Sequence, residues 1–274
     1  MRRRLLRPNA AIGLTIIAVV GLAALIGEVY TPYDPLTLSI RDRLAPPSAT
    51  HLLGTDHFGR DVFSRLLKGA GVSLSVSLMT VAFALGVGIA VGAVIGFFGG
   101  WLDRLAMALV DALLAFPGLM LALGIMAVLG PNKYGVVLAL GIAYTPSVVR
   151  MVRGQVLSIK QREFVEASSA MGNSAFYTLW RHVVPNCIGP LTVLGTALFA
   201  FALLSESALS FLGLGVPPPE ASWGGMLADS RQYIGQAFWL GLFPGLAISV
   251  TLLGVNLFGD ALRDRFDPRM NRLG

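Results

Sequence analysis

The chain has 274 residues, of which 55% are hydrophobic and only 13% charged, and it carries 32 glycines besides. Charged residues are about half their usual share in soluble domains, and mean hydropathy is +0.71. So few charges cannot cover so much apolar surface in water, which excludes a soluble enzyme, a disordered chain and a nucleic-acid binder. The net charge of +6 does not point to nucleic acid either, because the cations cluster between long apolar runs, as in loops held on the cytoplasmic side of a membrane. The single cysteine, Cys187, excludes an internal disulfide and a cysteine metal cluster.

A helix needs about 20 mostly apolar residues to cross the hydrocarbon core, and six stretches qualify in chain order. The first runs from Ala10 to Tyr30 with Glu28 at its end. The second, Leu74 to Phe98, is uncharged. The third, Leu105 to Leu129, contains Asp111 and Pro117. The fourth, Tyr134 to Val149, is short and holds Pro146. The fifth, Ile188 to Phe211, contains Glu206, and the sixth, Phe238 to Gly259, is uncharged. The competing reading of the first span is a cleaved signal peptide after Arg2, Arg3, Arg4 and Arg7. Its apolar run is longer than a signal core, and no small-x-small cleavage site follows. With the N-terminus inside, the inner segments hold twice the Lys and Arg of the outer ones, so both termini are expected in the cytoplasm.

The chain then divides into an N-terminal tail with the first span (1–30), an outer loop (31–73), a core of five spans (74–262) and a C-terminal tail (263–274). Within the outer loop, Asp61 to Gly69 sets Val62, Phe63, Leu66 and Leu67 against Arg60, Arg65 and Lys68, the pattern of an interfacial helix. His51, Asp56 and His57 lack a recognised ligand spacing, so no metal is assigned. A second outer loop, 212–237, begins with Pro217-Pro218-Pro219; Trp223, Tyr233 and Trp239 suit the headgroup region.

The inner segment 150–187 is too long for a connector. Val156 to Met171 reads as a helix with Phe164, Ala167, Ser168 and Met171 on one face. Gly172 suits its C-terminal end. Asn173 or Ser174 then caps a second helix, striped by Phe176, Leu179, Trp180 and Val183 and stopped by Pro185.

Catalytic chemistry is missing. Each of the three lysines, Lys68, Lys133 and Lys160, is followed by a residue other than Ser or Thr, so no phosphate-binding loop exists. The histidines His51, His57 and His182 all fall in loops, away from any intramembrane serine. No catalytic residue and no cofactor is assigned. Two intramembrane acids remain: Asp111 and Glu206 each cost a few kcal/mol at mid-bilayer. They serve either a cation pathway or a bond to a neighbouring helix. Gly88, Gly92, Gly96 and Gly100 recur every four residues, a small-xxx-small face for close helix packing.

Glu166-Ala167-Ser168, Gly172 and His182-Val183-Val184-Pro185 resemble the "EAA" signature of ABC importer membrane subunits: Glu-Ala-Ala, three residues, Gly, nine residues, Ile-x-Leu-Pro. Ser168 replaces the second Ala, and His182 and Val184 replace Ile and Leu. HLLGTDHFGRDVFSR (51–65), SFLGLGVPPPEASWG (210–224) and NLFGDALRDRFDPR (256–269) are similar to the C-type permease subunit of dipeptide, oligopeptide and nickel importers, over almost the whole chain. The resemblance implies an all-α membrane protein with six transmembrane helices, of the type I ABC importer (MetI-like) permease fold. It implies a bacterial inner-membrane location and a cytoplasmic coupling helix–turn–helix. Glu166, Ala167, Ser168, Gly172, His182 and Pro185 would form the ATPase-coupling interface. The expected partners are a sister permease in a heterodimer, two cytoplasmic ATPase subunits that bind the ATP, an extracytoplasmic solute-binding protein and membrane lipid, with no nucleic acid. A stand-alone ion-coupled secondary transporter or channel using Asp111 or Glu206, and a non-transporting scaffold, are the rival readings.

Overall fold

The computed structural model describes residues 8–266. The first helix, α1 (Pro8–Val29), is apolar on every side, and Val19, Leu22 and Leu25 face outward. Such a helix is stable only in apolar surroundings, and 22 residues reach about 33 Å, enough to cross the hydrocarbon core.

The second helix, α2 (Val62–Phe98), is a single 37-residue rod that begins at Val62 rather than Leu74. Asp61 caps it by accepting the Ser64 amide at 2.8 Å, satisfying one of the free N–H groups of the first turn. The stretch expected as an interfacial helix leading into the second span is continuous with it, forming the start of this rod. Two cations of that stretch do not face water: Arg60, just before the rod, and Arg65, within it, are buried and lie 2.7 and 3.5 Å from Asp56. Helical periodicity could not show this, because the acid that compensates them sits in the preceding loop.

The expected third span is broken. It consists of α3 (Gly100–Leu114) and α4 (Gly118–Leu129), bent by 90°. Pro117 has no N–H and disfavours helical geometry at Phe116, so α3 ends at Leu114 and a new helix starts only at Gly118. Among the described residues, five helices are long and apolar enough to cross a membrane, or six if the bent pair counts as one span.

The fourth span is longer than expected: α5 (Lys133–Lys160) continues well past Val149. Its polar second half is held by partners on other elements. Arg153 grips Asp103 of α3 through two bonds of 2.5 and 2.7 Å, Arg150 pairs with Asp111, and Lys160 Nζ donates to the Phe97 carbonyl at 2.5 Å. The remaining elements are α6 (Glu163–Ala170), α7 (Ala175–Thr178), a π turn (Leu179–Val183), α8 (Val184–Asn186), α9 (Ile188–Phe211), α10 (Trp223–Ser230) and α11 (Trp239–Phe266).

The centre of the bundle is the α2–α5 pair. A Cβ on Gly88 would lie 2.5 Å from the Val148 side chain, one on Gly92 2.7 Å from the Val149 carbonyl, and one on Gly96 3.1 Å from the Val156 side chain. Backbone thus meets a valine ridge directly, the close approach small residues permit. Gly100 does not share this face. Gly99 ends α2 at φ +68°, Gly100 follows at φ +75°, and nothing lies within 4 Å of its Cβ position, so the four-residue register is lost at the chain reversal. Gly92→Leu is expected to cost about 3 kcal/mol by overpacking and to lower the thermal midpoint of the detergent-solubilised chain. Gly86→Leu, on an open face, should leave that midpoint unchanged.

A cap of loops closes the end of the bundle where α2 begins. Trp223 and Trp239, expected at the headgroups, are buried against the chain. Trp223 donates its indole N–H to the Leu66 carbonyl at 3.0 Å, and Trp239 donates to the Thr55 carbonyl at 3.3 Å. Each ring covers apolar side chains while its N–H is satisfied, as a buried tryptophan requires.

Candidate functional site

At the opposite end, residues 161–187 fold as a helical hairpin between α5 and α9. The expected single helix from Val156 to Met171 is interrupted: α5 ends at Lys160, and α6 starts at Glu163 after Gln161 and Arg162. Gly172 adopts φ +82°, the left-handed conformation that glycine takes without a Cβ penalty. Ser174, one of the two caps expected, accepts the Tyr177 amide at 3.2 Å and so starts α7.

The turn is tied by a small polar knot. The Ser168 and Thr178 hydroxyls are 2.9 Å apart, Asn173 Nδ2 donates to Ser168 Oγ at 3.2 Å, and the Asn173 amide donates to the Ser168 carbonyl at 3.2 Å. Ser168 and Thr178 are fully enclosed. Thr178 and Asn173 had no sequence signal beyond their turn-forming chemistry, since pairing across the turn is a tertiary fact.

Pro185 does not stop the second helix. The Val184 amide bonds back to the Leu179 carbonyl, five residues earlier, so the turn is widened to a π turn. A wider turn accommodates a residue that lacks an N–H and whose ring would clash with the carbonyl four residues back. The chain continues through α8 into α9. His182 is half-buried, its ring edge-on to Tyr177 at 5.7 Å, and Pro185 is exposed.

The hairpin has two faces, and the expected apolar stripes divide between them. Val165, Leu179 and Val183 are buried in one cluster with Val156, Ile159 and Phe97, which keys the hairpin to α2 and α5. Glu166, Ala167, Phe164, Met171, Phe176, Tyr177 and Trp180 face outward. Met171 is 74% and Phe176 64% exposed. Large apolar side chains presented together on a rigid turn mark an interaction surface.

The two intramembrane acids are not brought together. Asp111 is exposed on α3 and paired with Arg150 of α5. Glu206 is completely buried on α9, where Oε1 accepts Ser210 Oγ at 2.8 Å and Oε2 accepts Ser73 Oγ at 3.3 Å and Ser207 Oγ at 3.5 Å. Ser73 of α2 also accepts the Trp223 amide at 3.1 Å, and Ser222, the N-cap of α10, donates to Ser210 at 3.4 Å. Serine in an apolar helix reads as neutral, so this enclosure was not visible in the sequence.

In the loop cap, the residues once weighed as metal donors have other partners. His51 Nδ1 lies 2.9 Å from Asp61, Asp56 holds Arg60 and Arg65, and His57 stacks on Tyr233 at 4.9 Å. Burial pushes the His57 imidazole below its ordinary pKa, against the upward pull of Asp56 and Asp229.

Residues 88–272 match the family described as "Binding-protein-dependent transport system inner membrane component", a stretch that contains α5, the hairpin and α9. The di/tripeptide transport system permease protein DppC of Pseudomonas aeruginosa (strain UCBPP-PA14) is 42% identical, covering 94% of this chain and 87% of its own length. The dipeptide transport system permease protein DppC of Alkalihalophilus pseudofirmus is 41% identical over 95% of this chain and 86% of that one. A chain of the MetNI methionine ABC transporter, solved in inward-facing conformations, superposes with a TM-score of 0.60 at 18% identity, covering 74% of this chain and 96% of that one. At that identity the likeness speaks for the fold alone, and the fold is MetI-like. The chain belongs to the family of binding-protein-dependent transport inner-membrane components: it is a multi-pass permease subunit of an ABC importer that works with other transporter subunits, and it is not an enzyme, the ATPase lying on partner chains.

Proposed function

We propose that this permease subunit carries small peptides into the cell, and that the hairpin at 161–187 is where it receives the work of ATP hydrolysis. Peptide cargo is supported by the relatives named for dipeptide and di/tripeptide transport. In this reading a sister permease pairs with the chain around the passage, a solute-binding protein delivers cargo on the loop-cap side, and two ATPase subunits dock on the hairpin side. Both termini lie in the cytoplasm. That sidedness is supported by the excess of Lys and Arg on the hairpin side.

The single observation that carries the coupling role is the division of the hairpin's faces. Val165, Leu179 and Val183 anchor it to the bundle, while Met171, Phe176 and Trp180 are presented outward beside Glu166 and Ala167. ATP-driven closure of the two ATPases displaces the docked hairpin. Because α5 and α9 enter and leave it directly, both helices are carried with it and the passage changes the side to which it opens. Gly172 keeps the turn tight, Ser168 locks it, and Glu166 accepts hydrogen bonds from the docked subunit.

An ion-coupled carrier finds no support in the two acids, since Asp111 is paired with Arg150 and Glu206 is enclosed by serine hydroxyls. The test is to tag the chain, extract it from its own membrane in mild detergent and identify the co-purifying proteins by mass. A second permease and ATPase chains with phosphate-binding loops are expected. Repeated recovery of the folded chain alone would sink the reading.

A further inference from the structure

Where the loop cap meets the start of α2 and the end of α10, the packing leaves a cavity of about 10 Å³. Asp56 and His57 come to it from the loop, Val62 and Arg65 from the first turn of α2, and Asp229 and Ser230 from the last turn of α10. None of the roles assigned above uses it.

The polar walls of this cavity are incompletely bonded. Among the described residues three buried side-chain atoms lack a hydrogen-bond partner, and two of them, His57 Nδ1 and Arg65 Nη1, belong to residues that line it. Arg65 is only 5% exposed, so bulk solvent does not satisfy that nitrogen. A third contact is stretched: Arg65 Nη2 lies 3.9 Å from Asp229 Oδ2, beyond hydrogen-bond reach. Buried polar atoms are nearly always bonded to protein or to ordered water, and a polar gap of this length is where a bridging molecule belongs. All three signals meet at one small space.

Size and charge decide which molecule fits. Roughly 10–15 Å³ is the least room that holds one water, so the cavity takes one water and nothing larger. The charges around it balance, because Arg60 and Arg65 face Asp56 and Asp229. Burial lowers the His57 pKa, which leaves a ring nitrogen free to accept at neutral pH. An anion would upset that balance, and a cation would meet two guanidinium groups. A neutral molecule that both donates and accepts suits the walls.

We infer that the cavity binds a single water molecule that joins the loop cap to α2 and α10. The water accepts a hydrogen bond from Arg65 Nη1 and donates to His57 Nδ1 and to Asp229 Oδ2. Three bonds are about the usual number for a buried water. His57 then carries its proton on Nε2, and its ring is held in place by stacking on Tyr233 at 4.9 Å. His57 and Asp229 also border an open polar cleft of about 300 Å³, which gives water a route in. Such a water is present whether or not the chain carries peptides, so the two readings fail separately.

The test is a density map of the full chain, with whatever subunits accompany it, at a resolution that shows other buried waters. It is recorded with chloride and again with gluconate as the buffer anion. One peak is expected within about 3.2 Å of His57 Nδ1, Arg65 Nη1 and Asp229 Oδ2, the same in both buffers. No peak there, or a peak that vanishes with gluconate and so marks an anion, would overturn the inference. Val62→Ile gives a second readout, whose sign separates a wet cavity from a dry one. Val62 is fully buried on the cavity wall, and the added methyl takes the place of the water. Displacing a bound water strands both nitrogens, so the thermal midpoint of the detergent-solubilised chain should fall by roughly 5 °C. In a dry cavity the same methyl fills a void and raises the midpoint, and that result would refute the water site.

Discussion

Glu206→Lys is expected to eliminate folded protein from the membrane, while Glu206→Gln leaves both folding and uptake close to normal. The carboxyl is fully buried and its partners are hydroxyls of Ser73, Ser207 and Ser210. Serine hydroxyls can donate or accept, so a glutamine amide keeps one acceptor for Ser210 and gives donors to the others. An ammonium on a longer stem brings an unpaired charge that costs several kcal/mol to bury, a large part of a typical total stability of about 5–15 kcal/mol. Glu206→Leu should fall between them, because each orphaned hydroxyl costs about 1–3 kcal/mol. The measurement is the yield and thermal midpoint of monodisperse protein in detergent, followed by uptake in reconstituted vesicles. A Gln variant that folds normally yet transports nothing would show that the carboxylate itself takes part in transport.

Phe176→Ala is expected to weaken docking of the ATPase subunits at least thirtyfold while leaving the thermal midpoint of the permease within a degree or two. Truncating a central aromatic anchor in an interface costs about 2 kcal/mol or more. The same truncation on an exposed surface of the free chain changes stability by only about 0.5 kcal/mol, and Phe176 is largely exposed. Pairing it with Met171→Ala should abolish uptake altogether. Gly172→Trp acts differently. Its Cβ would meet nothing within 4 Å, but φ is +82°, and an L side chain there costs roughly 1–2 kcal/mol. The turn would relax and uptake would fall with the chain still in the membrane. Normal uptake and normal ATPase retention in the Phe176–Met171 double variant would refute the docking role of this face.

The sequence was most legible where a single local rule decides the structure. The apolar runs of α1, α9 and α11 need no partner to be read, and the Gly172 turn and Ser174 cap follow from glycine's free backbone and serine's short acceptor. It was least legible where a charge is answered from elsewhere in the chain. Arg60 and Arg65 looked solvent-facing because the loop fold that brings Asp56 onto them has no helical period, and α5 looked short because Asp103 and Asp111, which hold its polar half, sit on α3. The third span differs from its expected form for another reason: hydropathy averages across Pro117, whereas the backbone bends there by 90°. In the hairpin, periodicity identified which residues are apolar but not which are buried. Val165 and Leu179 point into the bundle, and Phe164 and Phe176 point away from it.

The glycine seam between α2 and α5 has a mechanical meaning. Where backbone rests on a valine ridge, no layer of long side chains is left to deform, and packed interiors yield little. Over the seam, from Gly88 to Gly96 on α2 and from Val148 to Val156 on α5, the two helices form one strut, about 12 Å long at the ordinary rise. In the coupling proposed above, a push on the hairpin enters α5 at Lys160 and meets this strut about one turn along, at Val156. The breaks on either side of α4, at Pro117 and at Gly130 with φ +71°, fall outside the seam, so α4 meets α5 through ordinary side-chain packing at Ala122 and Met126.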